Sequence, residues 1–151
     1  MEHDACGVGL VASTEGKKSR KVVEYGIQAL KAVWHRGAVD ADGKTGDGAG
    51  IHVEISKEFF KEKIEVTGHT YDNSEICIGM IFLPRNDYEA QENCRTIVEK
   101  ELTQNNFSIY GWRQVPVNTK VLGEKAEQTR PEITQVLFRY CLLYTSPSPR
   151  D

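Results

Sequence analysis

The chain has 151 residues, of which 39% are hydrophobic and 27% are charged, a balance typical of a globular protein with its own core. The formal net charge of −3 gives no electrostatic sign of nucleic-acid binding, and the apolar runs are too short to span a membrane. The N-terminus has no basic or long apolar stretch of a secretory signal, so we expect a cytoplasmic protein with no nucleic-acid or membrane partner.

The first part of the chain predicts two strands and a helix around one long loop. Residues 7–12 form a short apolar run, which is typical of a buried strand. Ser19 is a suitable N-cap, and apolar residues at spacings of four, three and four predict a helix over residues 20–34. Residues 35–50 form a loop rich in glycine and aspartate, and ordered loops of this length usually serve a site. Alternating apolar and polar residues over 51–55 predict a half-buried strand.

The second part of the chain predicts strands that alternate with helices. Residues 76–83 are the strongest strand candidate, and Pro84 ends the apolar run. Pro116 restricts the extended segment around it to the edge or the end of a sheet. The predicted elements are a helix over 57–63, a strand over 76–83, a helix over 87–104, an extended segment over 107–117, a loop or weak helix over 120–129 and a strand over 133–140.

Residues 37–45 look like a phosphate-binding loop because they end in Gly43-Lys44-Thr45. Five residues separate Gly37 from Gly43, however, where the motif allows four. The loop follows a predicted helix and precedes a predicted strand, which is the reverse of the strand-to-helix order that brings a helix N-terminus to a phosphate. Asp40 and Asp42 would also repel phosphate. We therefore expect a structured turn beside a site and no nucleotide.

Alternating glycines follow this turn, in Thr45-Gly46-Asp47-Gly48-Ala49-Gly50. Glycine permits a positive φ and close approach of another backbone. We interpret the three loop glycines, Gly46, Gly48 and Gly50, as structural residues that shape a site. A tight loop that joins two layers of the fold, with no ligand, is the alternative.

The four cysteines, at positions 6, 77, 94 and 141, form no Cys-x-x-Cys pair and have no zinc-finger histidine spacing. We therefore predict neither a disulfide framework nor a metal site. Cys77 is expected to be a small buried apolar residue and Cys94 an inert thiol in a helix. Cys6 differs by its position. Removal of the five residues before it would place a thiol nucleophile and a free α-amine base on one amino acid.

Three motifs occur in order: Cys6-Gly7-Val8-Gly9-Leu10-Val11-Ala12, His35-Arg36-Gly37-Ala38 and Thr45-Gly46-Asp47-Gly48-Ala49-Gly50. Together they resemble the start of the glutaminase domain of the glutamate synthase large subunit. This is a class II glutamine amidotransferase domain of the N-terminal-nucleophile (Ntn) hydrolases. Gly111-Trp112-Arg113-Gln114-Val115-Pro116-Val117-Asn118 and Val121-Leu122-Gly123 also look like that family.

The resemblance implies an α+β fold that forms the N-terminal part of a four-layer αββα Ntn-hydrolase sandwich. It divides the chain into a propeptide over residues 1–5 and a partial amidotransferase domain over 6–140. Residues 141–151 contain serine and proline without an apolar face. We interpret them as a disordered tail or as foreign sequence joined to a truncated reading frame.

The resemblance also implies the chemistry. The Cys6 thiolate would attack the side-chain amide of glutamine, release ammonia and leave a thioester that water hydrolyses. The α-amine of Cys6 would act as base, so residues 1–5 must first be removed. Arg36 and Gly37 match family positions near the nucleophile and are expected to shape the site or bind substrate. A surface ion pair is the alternative for Arg36, and His35 is expected to pack.

Much of the family's machinery has no counterpart in this sequence. The oxyanion-hole Asn-Gly and the arginine and aspartate that hold glutamine lie beyond the family-like part. The resemblance implies no cofactor in this chain, whereas FMN and an iron–sulfur cluster are expected in the missing synthase part. The implied partners are glutamine, the synthase domains of the same polypeptide and, in some forms, a small reductase subunit. The fragment alone is expected to be inactive.

Two other interpretations remain open at this point. The first is another class II amidotransferase that delivers ammonia to a different acceptor. The second is a non-enzymatic domain in which Cys6 is structural. Downstream sequence would separate the first from glutamate synthase, and the mature N-terminus would test the second.

Overall fold

The computed structural model describes residues 7–33, 37, 39–46 and 48–141. The chain divides into two compact units, one formed by residues 1–54 with 118–129 and the other by residues 55–117 with 130–151. Several predictions fall outside the described residues: the propeptide over 1–5, the catalytic role of Cys6, the roles of His35 and Arg36, and all but the first residue of the tail over 141–151.

Four α-helices and three strands are found in the described residues. They are α1 (Arg20–Ala32), α2 (Lys57–Val66), β1 (Cys77–Leu83), α3 (Tyr88–Gln104), β2 (Phe107–Gln114), α4 (Glu124–Thr129) and β3 (Glu132–Tyr140), with a short 3₁₀ helix at Thr119–Val121. None of these described helices is long and apolar enough to cross a membrane. The fold class is α+β, as predicted, and the sheet is antiparallel.

The first unit contains α1, the 3₁₀ helix and α4. α1 begins where predicted because the Ser19 hydroxyl accepts a hydrogen bond from the amide of Lys21 at 3.2 Å. It ends at Ala32 rather than residue 34. Asn118 caps the 3₁₀ helix in the same way, by accepting from the amide of Lys120 at 3.2 Å.

The strands predicted over residues 7–12 and 51–55 do not form. Val8 and Leu10 are 96% and 92% exposed, and Ile51 and Val53 are about half exposed. A strand requires a hydrogen-bonded neighbour, and neither segment has one among the described residues. The apolar pattern that suggested both strands carries no information about whether such a neighbour is present.

The second unit contains a three-stranded antiparallel sheet in the order β1-β3-β2. Across it, Gly79 of β1 and Trp112 of β2 both pair with Val136 of the central strand. β2 is an edge strand, which agrees with the restriction that Pro116 imposes. The predictions for all three strands and for α2 and α3 are confirmed, although α2 continues to Val66.

The core of the second unit lies on both faces of β3. Leu137 packs with Ile64 of α2, Ile76 and Tyr110 on one face. Val136, its neighbour in the strand, points to the opposite face because side chains alternate along a strand. Trp112, which pairs with Val136, donates a hydrogen bond from Nε1 to Oε1 of Glu99 at 2.6 Å, so α3 covers that face.

The Gly-Trp-Arg segment contains a β-bulge between Ile109 and Gly111. Gly111 has a φ of +146°, which disfavours any other residue, and a Cβ placed there would lie 2.9 Å from Cγ2 of Thr67. The Thr67 hydroxyl donates to the Tyr110 carbonyl at 2.8 Å. The bulge therefore fixes the end of α2 against β2, which accounts for the glycine of this motif.

Cys77 is half-buried rather than buried as predicted, because β1 is an edge strand of the sheet. Loss of hydration still raises the pKa of its thiol above the usual value. Cys77, Cys94 and Cys141 are free thiols in the described part of the chain.

Candidate functional site

The described residues nearest in sequence to Cys6 and Arg36 are Gly7, Val33 and Gly37, and all three belong to the first unit. Gly7, which follows Cys6 in sequence, lies against Val33, which caps α1 and precedes Arg36 by three residues. A Cβ placed on Gly7 would lie 3.6 Å from both Cβ and Cγ2 of Val33, in ordinary van der Waals contact. The residue after the predicted nucleophile therefore contacts the end of α1.

Residues 39–46 form a tight hairpin after α1. Val39 and Gly46 make an isolated antiparallel bridge, and the amide of Asp40 donates to the carbonyl of Thr45 at 2.7 Å. Gly43 has a φ of +68° at the tip, where its amide donates to the Asp40 carbonyl at 2.9 Å. The prediction of a structured turn over this segment is confirmed.

Asp42 holds the hairpin together. Its carboxylate accepts hydrogen bonds from the Thr45 hydroxyl at 2.5 Å and from the amides of Thr45 and Lys44 at 2.7 and 2.9 Å. The Thr45 hydroxyl, followed by the two amides, lowers the pKa of Asp42 to about 2. The carboxylate therefore stays ionised throughout the neutral range.

The hydrogen bonds of Asp42 also explain why the Gly43-Lys44-Thr45 step is not a phosphate site. A phosphate-binding loop directs its backbone amides and threonine hydroxyl at a ligand. In this hairpin the amides of Lys44 and Thr45 and the hydroxyl of Thr45 already donate to Asp42. The expectation from the sequence agrees with this arrangement.

The segment over residues 118–129 packs against the hairpin. A Cβ on Gly123 would overlap the side-chain oxygens of Asp42 and Thr45 and would lie 2.7 Å from the Thr45 amide nitrogen. Nζ of Lys125 lies 2.5 Å from Oδ2 of Asp40. The turn leaves no room for a side chain at position 123, so this position requires glycine. This requirement is a physical reason for the glycine of the Val121-Leu122-Gly123 motif.

The sequence could have indicated part of this arrangement. An aspartate that precedes a threonine by three residues is a common signal for a turn fixed by side-chain hydrogen bonds. The partnership of Asp40 with Lys125, 85 residues apart, has no local signal in the sequence. Lys125 therefore could not be predicted from the sequence, whereas Asp42 and Thr45 could have been.

The role of Gly46, Gly48 and Gly50 in shaping a site stays a prediction. A Cβ placed on Gly48 or Gly50 would meet no heavy atom within 4 Å among the described residues. Gly50 also lacks a positive φ. Among the described residues of this unit, a close approach occurs at Gly123 and a positive φ at Gly43. Gly46 pairs with Val39, and Gly37 precedes the hairpin.

The described residues contain no group of three or more His, Cys, Asp or Glu side chains that could hold a metal ion. The groups that organise the site are a hydroxyl, backbone amides, two carboxylates and one ammonium. These groups fix the hairpin over residues 39–46 and tie it to Lys125.

The family model for the class II glutamine amidotransferases matches residues 6–142. The chain belongs to the class II glutamine amidotransferases. The match begins at Cys6, the predicted nucleophile. The resemblance drawn from the three motifs is thereby confirmed at the level of the family.

The chain is similar to several glutamate synthases. It is 60% identical over 136 residues to the glutamate synthase (NADPH) large chain of Azospirillum brasilense, covering 90% of this chain and 9% of that protein. It is 38% identical over 137 residues to ferredoxin-dependent glutamate synthase 2 of Synechocystis sp., covering 90% of this chain and 9% of that protein. It is 39% identical over 142 residues to glutamate synthase (NADH) of Saccharomyces cerevisiae, covering 91% of this chain and 7% of that protein. The chain spans less than a tenth of the length of these relatives.

Proposed function

We propose that these residues form the opening part of the glutaminase domain of a glutamate synthase large subunit, with Cys6 as its N-terminal nucleophile. The observation that carries the proposal is the 60% identity to a glutamate synthase large chain, together with a family match that begins at Cys6. The relatives named above are all glutamate synthases, which favours this assignment over a class II amidotransferase with another ammonia acceptor.

The proposed reaction releases ammonia from glutamine. The Cys6 thiolate attacks the side-chain amide carbon, and the resulting tetrahedral intermediate expels ammonia with a proton from the enzyme. The product is a glutamyl thioester on Cys6. Water then hydrolyses the thioester, which yields glutamate and restores the thiol.

The free α-amine of Cys6 is the proposed base. Its ordinary pKa, about 7.7–8.0, is close to working pH, so it can accept the thiol proton and return it to the leaving ammonia. An amide nitrogen cannot do this, so residues 1–5 must be removed as a propeptide. Removal of Met1 alone would leave Cys6 inside the chain.

The geometry of the first unit supports this placement of the site. Gly7 contacts the end of α1, and the hairpin over residues 39–46 follows shortly after Arg36 and Gly37. Asp42 and Gly123 fix the hairpin, so residues 39–46 have a defined backbone course. We infer that Arg36 and Gly37 shape the pocket or bind the carboxylate of glutamine.

The complete domain is proposed to be a four-layer αββα sandwich. One face of the sheet supports this arrangement, because Met80 and Phe82 are 47% and 63% exposed on the same face as Ile78. α2 covers that face only near Ile64 and Leu137. The exposed apolar end is suited to receive a second sheet contributed by residues of the longer protein.

The rest of the reaction requires parts of the longer protein. The oxyanion-hole donors and the residues that hold glutamine are expected there, as are FMN and the iron–sulfur cluster of the synthase half. In that protein, ammonia and 2-oxoglutarate would yield glutamate, with a small reductase subunit as a partner in the forms that use one.

The free thiols of the described residues are compatible with a cytoplasmic location. This chain by itself is proposed to be inactive.

Replacement of Cys6 by alanine in the full-length synthase tests the proposal. Glutamine-dependent formation of glutamate should be lost, while ammonia-dependent formation should persist because the synthase half does not use Cys6. Cys94→Ala, which removes a half-buried thiol from α3, is the matched control and should retain both activities. Equal glutamine-dependent rates for wild type and Cys6→Ala would overturn the proposal.

A further inference from the structure

The sheet of the second unit leaves β1 at a free edge, and β1 has none of the features that usually protect such an edge. Edge strands usually carry a charged residue, a proline or a bulge, which keep other strands from pairing with them. β2, at the other edge, has the bulge at Gly111, the charge of Arg113 and Pro116 shortly after its end. β1 has seven residues and no charge, in the sequence Cys77-Ile78-Gly79-Met80-Ile81-Phe82-Leu83. Its composition is that of a strand with neighbours on both sides.

One hydrogen bond fixes which backbone groups of β1 point out from this edge. The Ile133 carbonyl of β3 accepts from the Val115 amide at 2.9 Å, so the backbone groups of Ile133 point towards β2. Phe82 is the partner of Ile133 in β1, and its amide and carbonyl therefore point away from β3. Because the bonding alternates along an antiparallel pair, those of Ile78 and Met80 point away as well. Among the described residues, no other strand or loop bonds to the backbone on this side of β1.

The strand order shows that β1, α3 and β2 form a split β-α-β unit. β1 and β2 both run antiparallel to β3, so they are parallel to each other, and β3 lies between them. Split units of this kind occur in pairs, in the order β-α-β-β-α-β. β1, α3, β2 and β3 account for the first four elements of that order. A second split unit that starts at β3 would place its last strand one strand away from β3, and the unprotected position of that kind is the free edge of β1.

The face of the sheet that α3 covers also has room for a second helix. α3 lies mainly against β2, where Trp112 bonds to Glu99. Cys77 and Ile81 of β1 are only half-buried on this face, and Ile97 of α3 is 61% exposed. A helix beside α3 would remove these apolar groups from water, which is the main favourable contribution to such packing.

We propose that the free edge of β1 pairs with a fourth strand supplied by the longer synthase polypeptide, and that the helix leading to this strand packs beside α3. The fourth strand runs antiparallel to β1 and bonds to the backbone of Ile78, Met80 and Phe82. This chain covers only 9% of the Azospirillum brasilense relative, so a protein of that length has ample polypeptide for both elements. A second copy of β1 would pair with the edge but would leave the face beside α3 uncovered. The inference rests on the proposed function only in assigning these residues to a longer synthase subunit.

Hydrogen exchange in the full-length synthase, resolved to single amides by mass spectrometry, tests the proposal. The amides of Ile78, Met80 and Phe82 should exchange at least about tenfold more slowly there than in the 151-residue chain, because each gains a hydrogen bond. The amides of Gly79 and Ile81 point towards β3 and should be protected in both proteins. Glutamine-dependent formation of glutamate is assayed on the same preparation, so that a failure of the proposed function is detected separately.

Two variants at one position separate backbone pairing from burial of a side chain. Met80→Pro removes an amide that β3 does not use, whereas Met80→Ala shortens the side chain and keeps the amide. In the full-length synthase, Met80→Pro should lose the added protection of Ile78 and Phe82, and Met80→Ala should retain it. Continued protection of Gly79 and Ile81 in both variants would show that the sheet is folded.

Three outcomes would overturn the proposal. The first is equal exchange of the Ile78, Met80 and Phe82 amides in the full-length synthase and the 151-residue chain. The second is an equal loss of protection in Met80→Ala and Met80→Pro, which would assign the protection to burial of the Met80 side chain. The third is protection that rises with protein concentration together with dimer formation, which would assign the edge to a second copy of the chain.

Discussion

Asp42 is the residue on which the hairpin of the first unit depends. The Thr45 hydroxyl and two backbone amides lower its pKa to about 2 from the usual value of 3.8. A carboxyl group whose pKa is lowered by folding stabilises the folded state above its unfolded pKa. That stabilisation is lost as the pH falls through the lower value.

We predict that the hairpin loosens on acidification between about pH 4 and pH 2, and that Asp42→Asn removes this transition. The amide resonance of Thr45, followed by NMR across this range, would report the change. Asp87→Asn, which alters the N-cap of α3, is a matched control and should leave the Thr45 transition in place. A Thr45 amide that titrates identically in wild type and Asp42→Asn would contradict the assignment.

Tyr110 links the loop before β1 to the core of the second unit. Its hydroxyl donates to Oδ1 of Asp72 at 2.9 Å and lies 3.1 Å from the hydroxyl of Ser74. Hydrogen bonds from Ser74 and then Tyr110 lower the pKa of Asp72 to about 2. Burial raises the pKa of Tyr110, so the hydroxyl remains a donor at neutral pH.

Tyr110→Phe keeps the ring and removes these hydrogen bonds. We expect a loss of about 1 kcal/mol in the free energy of unfolding, as is typical of one hydrogen bond in a partly exposed network. Urea denaturation would measure the change. Tyr88→Phe is the control because Tyr88 is 78% exposed, and it should have no effect. An equal loss in the free energy of unfolding in both variants would show that the hydrogen bonds of Tyr110 do not stabilise the fold.

At the scale of elements, the hairpin over residues 39–46 and the segment over 118–129 form one packed arrangement. Gly123 leaves no space for a Cβ between itself and the Asp42–Thr45 turn. Overpacking of this kind usually costs about 1–3 kcal/mol. The arrangement should therefore be sensitive to a single added methyl group.

Gly123→Ala is expected to destabilise the hairpin by about 1–3 kcal/mol, because either the turn or the segment must shift. Hydrogen exchange at the amides of Asp40 and Gly43 would report the opening of the hairpin. Gly50→Ala adds the same methyl group where no heavy atom of the described, non-adjacent residues lies within 4 Å, and it should leave the exchange rates unchanged. Unchanged rates in Gly123→Ala would contradict the close packing.

Local sequence signals were sufficient where an element depends on its own residues. Ser19 caps α1 through its own side chain, and this helix begins where the cap predicts. α3, predicted to begin at Asp87, begins at Tyr88 with the Asp87 side chain as its N-cap. Residues 7–12 and 51–55 have an equally clear apolar pattern, but a strand depends on a neighbour that the pattern cannot reveal. Long-range partners of the hairpin were missed for the same reason, as the 85-residue separation of Asp40 and Lys125 illustrates.

At the scale of the whole molecule, the order of the three sequence motifs predicted the family. Gly7, Gly37 and the hairpin are present in the described residues, and Cys6 and Arg36 are outside them. The exposed apolar end of the sheet, at Met80 and Phe82, matches the proposal that further layers complete the domain.

Phe82→Ser tests that proposal. In the 151-residue chain, the substitution should reduce aggregation, because Phe82 is 63% exposed and contributes little to folding. In the full-length synthase, it should lower stability by about 2–4 kcal/mol, since the same side chain would be buried against the second sheet. Light scattering and thermal unfolding would measure the two effects. Equal thermal stability of wild type and variant in the full-length protein would contradict a four-layer packing at this face.

The central claim is that Cys6 is the mature N-terminal nucleophile. It is tested most directly by mass spectrometry of the active full-length enzyme after reaction with a glutamine analogue that carries an electrophilic carbon in place of the amide. The account predicts a single adduct on a peptide that begins at Cys6 with a free α-amine. An active enzyme whose chain still begins at Met1 or Glu2, or an adduct on another residue, would contradict it.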